Sequence, residues 1–200
     1  MSGVVTAPDG IPRCPWGMES EQMADYRAYH DTEWGLPVHG DDALFERMSL
    51  EAFQSGLSWI TILRRRPGFR AAFAGFRIAE VARFTEADAE RLLADPGIIR
   101  NRAKIAATLN NAKVAAALTP GELDELIWSY APDRGRPAPR TVADVQPVTP
   151  ESTALAKDLK KRGFRFVGPT TAYAMMQACG LVNDHLAACH ARAAAEAAAG

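Results

Sequence analysis

The sequence predicts an all-α fold on three observations. Apolar residues recur at helical spacing in one segment after another, no stretch alternates apolar and polar residues as a half-buried strand does, and no unit repeats along the chain. Two hundred residues with 48% hydrophobic content suffice to bury a core, as one compact domain or two small lobes sharing a cleft. A formal charge of −1 gives no overall nucleic-acid signature. The basic residues are clustered, however, at Arg64–Arg66, at Arg100, Arg102 and Lys104, and at Lys157, Lys160, Lys161, Arg162 and Arg165. Any one of these clusters is as readily a solvated helix face as a phosphate site. The opening residues carry neither a basic, signal-like start nor a long apolar run, so a cytoplasmic protein with no membrane anchor is expected.

Residues 1–13 read as a flexible leader, and the ordered chain is expected to begin at Cys14-Pro15-Trp16-Gly17. Residues 23–35, MADYRAYHDTEWG, bring Tyr26, Tyr29 and His30 together on a short helix or turn. Asp41 and Asp42 are expected to cap a strong amphipathic helix, with Leu44, Phe45, Met48 and Phe53 on one face, Glu51 among apolar neighbours, and Gly56 as its stop. A helix restarts after a Ser58 cap and is expected to break at Arg66-Pro67, with shorter helices near 69–74 and 78–83. Thr85 and Asp88 are spaced as a capping box for a helix to Ala94, which Pro96-Gly97 ends. A long Ala-rich helix over 98–117 and another over about 122–130 follow. The proline-rich stretch 132–150 is the one long connection, crossing between lobes or bordering a cleft. A helix over 151–162 comes next, and residues 191–200 read as a frayed helix or tail.

The richest stretch is Leu159 to Cys189. A basic helix end, a turn from Gly163 to Gly168 and a second helix opening at Pro169-Thr170 form two helices around a Gly-bounded turn. Such a unit can offer backbone N–H groups at a positive helix end to a phosphate, which points to a grip on the DNA backbone by Gly163, Gly168, Thr170 and Lys161. His185 and Cys189 stand four residues apart, one turn of helix. Alone they are a poor metal site. With Cys14 and His30 they supply the donors of a four-coordinate structural Zn²⁺ that would staple the two chain ends, with no position left for water. His39 and His190 compete for these places, and Cys179 reads as a buried thiol. Three cysteines do not make a disulfide framework.

Several blocks resemble the 3-methyladenine DNA glycosylase I family, a compact branch of the helix-hairpin-helix DNA glycosylases. They are residues 13–16 (RCPW), 28–35 (AYHDTEWG), 50–59 (LEAFQSGLSW), 97–100 (GIIR), 127–129 (IWS) and nearly all of 159–185, in the family's order over roughly 13–190. The resemblance implies a helix-hairpin-helix glycosylase-like fold over residues 14–190 and the same zinc ligands, Cys14, His30, His185 and Cys189. It makes Glu51 the pocket carboxylate and Tyr29 and Trp59 aromatic walls, with Tyr26 a lesser candidate. The implied activity is hydrolytic excision of 3-methyladenine from alkylated double-stranded DNA without a redox cofactor, a chemistry that requires the base to be flipped from the duplex. No lysine stands out as a Schiff-base nucleophile, so no lyase step is expected, and a monomer is the default.

That branch lacks the catalytic aspartate of many relatives, so Asp184 is expected to be a local cap or a partner of His185. Two other readings compete. One is a non-catalytic, zinc-stabilised helix-hairpin-helix module that only binds DNA, and the other is a zinc hydrolase of small molecules, which full protein ligation of the metal disfavours.

Overall fold

The computed structural model describes residues 3–16, 23–133 and 135–199. Met1 and Ser2 of the expected leader, Gly17 of the expected ordered start, and Gly200 of the tail lie outside the described residues. Among those described, the chain forms ten α-helices and one two-stranded ribbon.

The ribbon is a departure from the expected leader and from the absence of strands. Val5–Thr6 (β1) pairs antiparallel with Pro12–Arg13 (β2). Two residues per strand are too few to show alternation in a sequence. What fixes the ribbon is tertiary: Arg13 is buried at its end and forks onto Asp31.

The helices are Ala24–Thr32 (α1), Asp41–Gln54 (α2), Trp59–Ala72 (α3), Ile78–Val81 (α4), Glu86–Ala94 (α5), Arg102–Ala116 (α6), Glu122–Trp128 (α7), Pro150–Lys161 (α8), Pro169–Ala178 (α9) and Ala191–Ala198 (α10). The central member, α2, packs against α9, α3, α6 and α7. Its Leu44, Phe45, Met48 and Phe53 are fully buried, as their spacing required, and meet Phe69, Phe73 and Phe76 in an aromatic core.

The expected break at Pro67 does not occur, because α3 runs through it to Ala72 and absorbs the short helix expected at 69–74. Proline costs a helix one hydrogen bond and some crowding. Here Ile62 and Leu63 before it and Phe69 and Ala72 after it all bury into the same core, which offsets that cost. The capping box spaced at Thr85 and Asp88 forms, whereas Ser58 makes no side-chain cap for α3, and Asp41 and Asp42 turn from the start of α2 to the backbone N–H groups of Gly121, Asp124 and Ile78. Asp88 accepts from the Thr85 backbone N–H at 2.8 Å at the start of α5, and Thr149 caps α8 with Pro150 in its first turn. The Ala-rich helix begins later than 98, since Asn101 caps it through Lys104 N–H at 3.0 Å. Among the described residues, the connection before α8 carries a 3₁₀ turn at Val142–Asp144. The C-terminal stretch forms α10, held by buried Ala191 and Ala195.

Candidate active site and metal centre

Four buried cysteine and histidine side chains converge from three places in the chain. Cys14 follows β2, His30 lies on α1, and His185 and Cys189 lie in the loop after α9. The one-turn spacing of the last two is not helical, contrary to expectation. Gly180 ends α9 with a φ of +75°, and the Cys189 N–H closes a turn onto the Leu186 carbonyl instead.

The four ligand atoms all lie within 4.8 Å of one another. Cys189 Sγ is 3.5 Å from His30 Nε2 and 3.6 Å from His185 Nδ1, and Cys14 Sγ is 3.8 Å from His185 Nδ1. A sulfur at about 2.3 Å and a nitrogen at about 2.1 Å from one tetrahedral zinc stand about 3.6 Å apart. Both the geometry and the donor set therefore fit that ion.

The surroundings also set the imidazole tautomers. His30 Nδ1 meets Asp31 Oδ1 at 2.8 Å, which leaves Nε2 for a metal, and His185 Nε2 meets the Trp34 carbonyl at 3.0 Å, which leaves Nδ1. Asp31 also accepts from Arg13 and from His190 at 2.9 Å. Burial opposes its ionisation, but the hydrogen bonds from Arg13, His30 and His190 hold its carboxyl well below the usual range. Of the two competing histidines, His190 thus serves as a partner of Asp31. His39 is bonded to Asp124 and stacked on Trp128, outside the cluster. Burial pushes the Cys179 thiol up to about 12, in keeping with an inert core thiol.

Against this cluster lies a cavity of about 220 Å³, with Cys14 and Leu186 in its wall. It gathers the predicted pocket residues Glu51, Tyr29, Tyr26 and Trp59. Tyr29 and Trp59 rings are 5.3 Å apart, and Tyr26 stacks at 6.5 Å from Tyr29. The role of Trp16 and Trp34 went unread, although both stood in the matching blocks. Trp16 sits 5.1 Å from Tyr26, 4.9 Å from Trp34 and 4.9 Å from the ligand His30, so one aromatic run joins cavity and metal centre. Gln54 and Gln177 also line the cavity; both lie in the matching blocks, 50–59 and 159–185, where nothing set them apart from their neighbours.

Two polar atoms on this wall are buried without a hydrogen-bond partner among the described residues, Glu51 Oε2 and Trp59 Nε1. Leaving such groups unmade costs about 1–3 kcal/mol each, so they are poised for a ligand. Burial pushes the Glu51 carboxyl up to about 8, with Arg47 one turn earlier on α2 opposing the shift. A carboxyl whose folded value is raised contributes stability in full below its unfolded value near 4.5, and loses it as pH rises toward 8. Between these limits wild-type stability is expected to fall by up to about 1.4 kcal/mol per pH unit through this group. Denaturant titrations of Glu51→Gln should lack that slope, and an unchanged slope would place the raised group elsewhere.

Asp184 lines the same cavity but does not partner His185. Its Oδ2 accepts from Tyr173 Oη at 2.6 Å and Gln177 Nε2 at 2.9 Å, while the His185 N–H donates to Asn183.

The turn between α8 and α9 is held from α6. Asn110 Nδ2 donates to the Gly163 carbonyl, and Asn111 bonds both the N–H and the carbonyl of Arg165. Phe164 and Val167 anchor it in the core, while Lys161, Gly163 and Thr170 are exposed and Gly168 caps α9. Several of the basic side chains suspected of phosphate contact are engaged within the protein. Arg64 pairs with Asp25, Arg66 with Glu33, Arg102 with Glu90 and Arg162 with Glu122. Lys104 is buried.

Known proteins share this architecture. The sequence description of the family "Methyladenine glycosylase" matches residues 18–193. The Escherichia coli K12 protein "DNA-3-methyladenine glycosylase 1" is 44% identical over 182 residues, covering 90% of this chain and 96% of its own length. A crystal structure of a 3-methyladenine DNA glycosylase I superposes with a TM-score of 0.82 at 43% identity, over 89% of this chain and 98% of that one. The Staphylococcus aureus 3-methyladenine DNA glycosylase I, solved to explain its recognition of 3-methyladenine, superposes with a TM-score of 0.80 at 34% identity, over 90% of this chain and 96% of that one.

Proposed function

Because the chain belongs to the methyladenine glycosylase family, we propose that it is a monofunctional DNA glycosylase that flips 3-methyladenine out of alkylated duplex DNA and hydrolyses its glycosidic bond. The observation that carries this reading is the pair of partnerless buried atoms, Glu51 Oε2 and Trp59 Nε1, on the wall of an aromatic cavity suited to a single base. A base methylated at N3 is cationic in DNA, so its bond to the sugar is already weak and needs little acid catalysis. Selecting it is the harder task. Tyr29, Tyr26 and Trp16 offer faces for stacking, and ionised Glu51 accepts the exocyclic N–H while its charge favours a cation. Water then attacks the sugar carbon through an oxocarbenium-like state, which the carboxylates of the cavity favour. Among the described residues that line it there is no lysine, and a lyase step is not part of the proposal.

Residues 14–190 would form the catalytic unit, acting as a monomer. Cys14, His30, His185 and Cys189 would hold one structural Zn²⁺, whose only chemistry is to fix the two chain ends and the Trp16 wall. DNA would lie across the α8–α9 turn, its backbone met by Gly163, Gly168, Thr170 and Lys161. No helix among the described residues is long and apolar enough to cross a membrane.

The space left by a flipped base needs an apolar plug, and of the exposed large hydrophobics Leu57, Val142, Val148 and Phe166 we assign it to Leu57. It is a large hydrophobic residue left 42% exposed, two positions before the pocket residue Trp59. Leu57→Ala is expected to slow release of 3-methyladenine from duplex DNA about 10-fold, a loss of about 1.4 kcal/mol. The melting temperature should hold to within about 2 °C, because an exposed side chain contributes little to stability. An unchanged rate would assign the plug to another residue. The test of the whole reading is chromatography of bases freed from methylated duplex DNA. Binding of DNA without release of 3-methyladenine would favour the non-catalytic module.

A further inference from the structure

Lys104 occupies a costly place. It lies in the first turn of α6, where the helix dipole disfavours a cation, and it is only 8% exposed. Desolvation lowers its pKa. A methionine or leucine there would serve α6 and the core without either cost, so the position is not explained by the stability of its own helix.

Its contacts lie on another element. Lys104 Nζ donates to the Phe53 carbonyl at 2.8 Å and to the Ser55 carbonyl at 2.6 Å, both at the C-terminal end of α2. Between and beyond these carbonyls the chain makes one tight turn. Ser55 has φ −46° and ψ 117°, Gly56 has φ +81°, and the Leu57 N–H closes onto the Gln54 carbonyl at 2.6 Å. These are the angles of a type II turn, which requires a positive φ at its third residue. The turn places Gln54 in the cavity wall, presents Leu57 to solvent and starts α3 at Trp59. A single ammonium group therefore ties down the carbonyls on both sides of Gln54, the first residue of this turn.

We propose that Lys104 is a positioning residue for base flipping, whose ammonium group locks the Gln54–Leu57 turn so that Leu57 enters the duplex as the base leaves it. This rests on the glycosylase reading above. It adds that the energy spent on burying a cation in α6 is returned as rigidity of the turn that meets DNA. A floppy turn would pay its ordering entropy at the flipping step, whereas Tyr26 and Tyr29 on α1 and Glu51 within α2, which hold a free base in this reading, lie outside the turn and keep their places.

The test separates these two steps. Single-turnover release of 3-methyladenine from methylated duplex DNA reports flipping and cleavage together. Titration of the free base, followed by tryptophan fluorescence, reports the pocket alone. Lys104→Met is expected to slow duplex release at least about 10-fold while its affinity for free 3-methyladenine stays within about 3-fold of wild type. Lys104→Arg, which keeps a cation and donors, should recover most of the rate.

Gly56→Ala provides the same test without touching the lysine. A Cβ at Gly56 meets nothing within 4 Å, so the substitution strains only the backbone of the turn. It should show the same pattern even if Lys104→Met does not fold. Equal losses of duplex release and free-base affinity would make Lys104 a merely structural residue and overturn the proposal. So would a Gly56→Ala protein that releases base from duplex at the wild-type rate. A wild-type protein that neither binds nor releases 3-methyladenine would refute the glycosylase reading itself, and is distinguished by needing no variant.

Discussion

Glu51→Gln is expected to slow release of 3-methyladenine from alkylated duplex DNA by about 30- to 1,000-fold, the equivalent of about 2–4 kcal/mol. The amide keeps the volume of the side chain and loses its negative charge. Glu51 is buried on α2 and its Oε2 has no hydrogen-bond partner among the described residues, so a cationic base brought against it gains a charged hydrogen bond that glutamine cannot match. The variant should keep its fold and the proposed metal, because the amide fills the same volume and His30 and His185 are oriented by Asp31 and the Trp34 carbonyl.

The charge also gives the reaction a pH dependence. Free Glu51 is largely protonated below about 8, so wild-type kcat/KM should rise with pH toward that value, and Glu51→Gln should lose this limb. Chromatographic rates from pH 6 to 9 for the two proteins decide the matter. Equal rates, or identical pH profiles, would remove Glu51 from the reaction.

Loss of the metal should have the second largest effect, and it should reach the cavity. Cys189→Ser, or removal of the ion with a strong chelator, is expected to cost about 3–5 kcal/mol of stability, or about 6–20 °C in melting temperature for a chain of this size. The core around α2 does not depend on the cluster, so the chain should remain folded at low temperature. Base release should nevertheless fall steeply. Cys14 itself lines the cavity, and Trp16, two residues on, leans on His30 at 4.9 Å. Cys179→Ala, which changes a thiol away from the cluster, should keep one equivalent of zinc by elemental analysis. A wild-type protein purified and reconstituted with zinc that holds no stoichiometric metal would overturn the assignment.

Much of this molecule was legible in its sequence because the signals were local. The helical spacing of Leu44, Phe45, Met48 and Phe53, the Thr85–Asp88 cap and the Gly163–Gly168 turn each concern residues within a few positions of one another, and each element forms as read. The four metal-type ligands could be nominated from donor chemistry, since few other residues offer thiolate or imidazole.

What required the tertiary structure was every choice set by distant partners. Pro67 does not break α3 because both halves of the helix share one core. The segment read as a leader pairs into a ribbon because Asp31, eighteen residues on, receives Arg13. His190 meets the same Asp31 rather than joining the four-residue cluster, and Asp184 was claimed by Tyr173 and Gln177 rather than by its neighbour His185. Arg64, Arg66 and Arg102, from two basic clusters, became ion pairs, while Lys104 turned inward to the end of α2. Sequence alone determined which residues could carry charge, metal or a base. Only the packed chain decided which of them met, because a hydrogen bond or an ion pair depends on separations of about 3 Å that no spacing along the chain encodes.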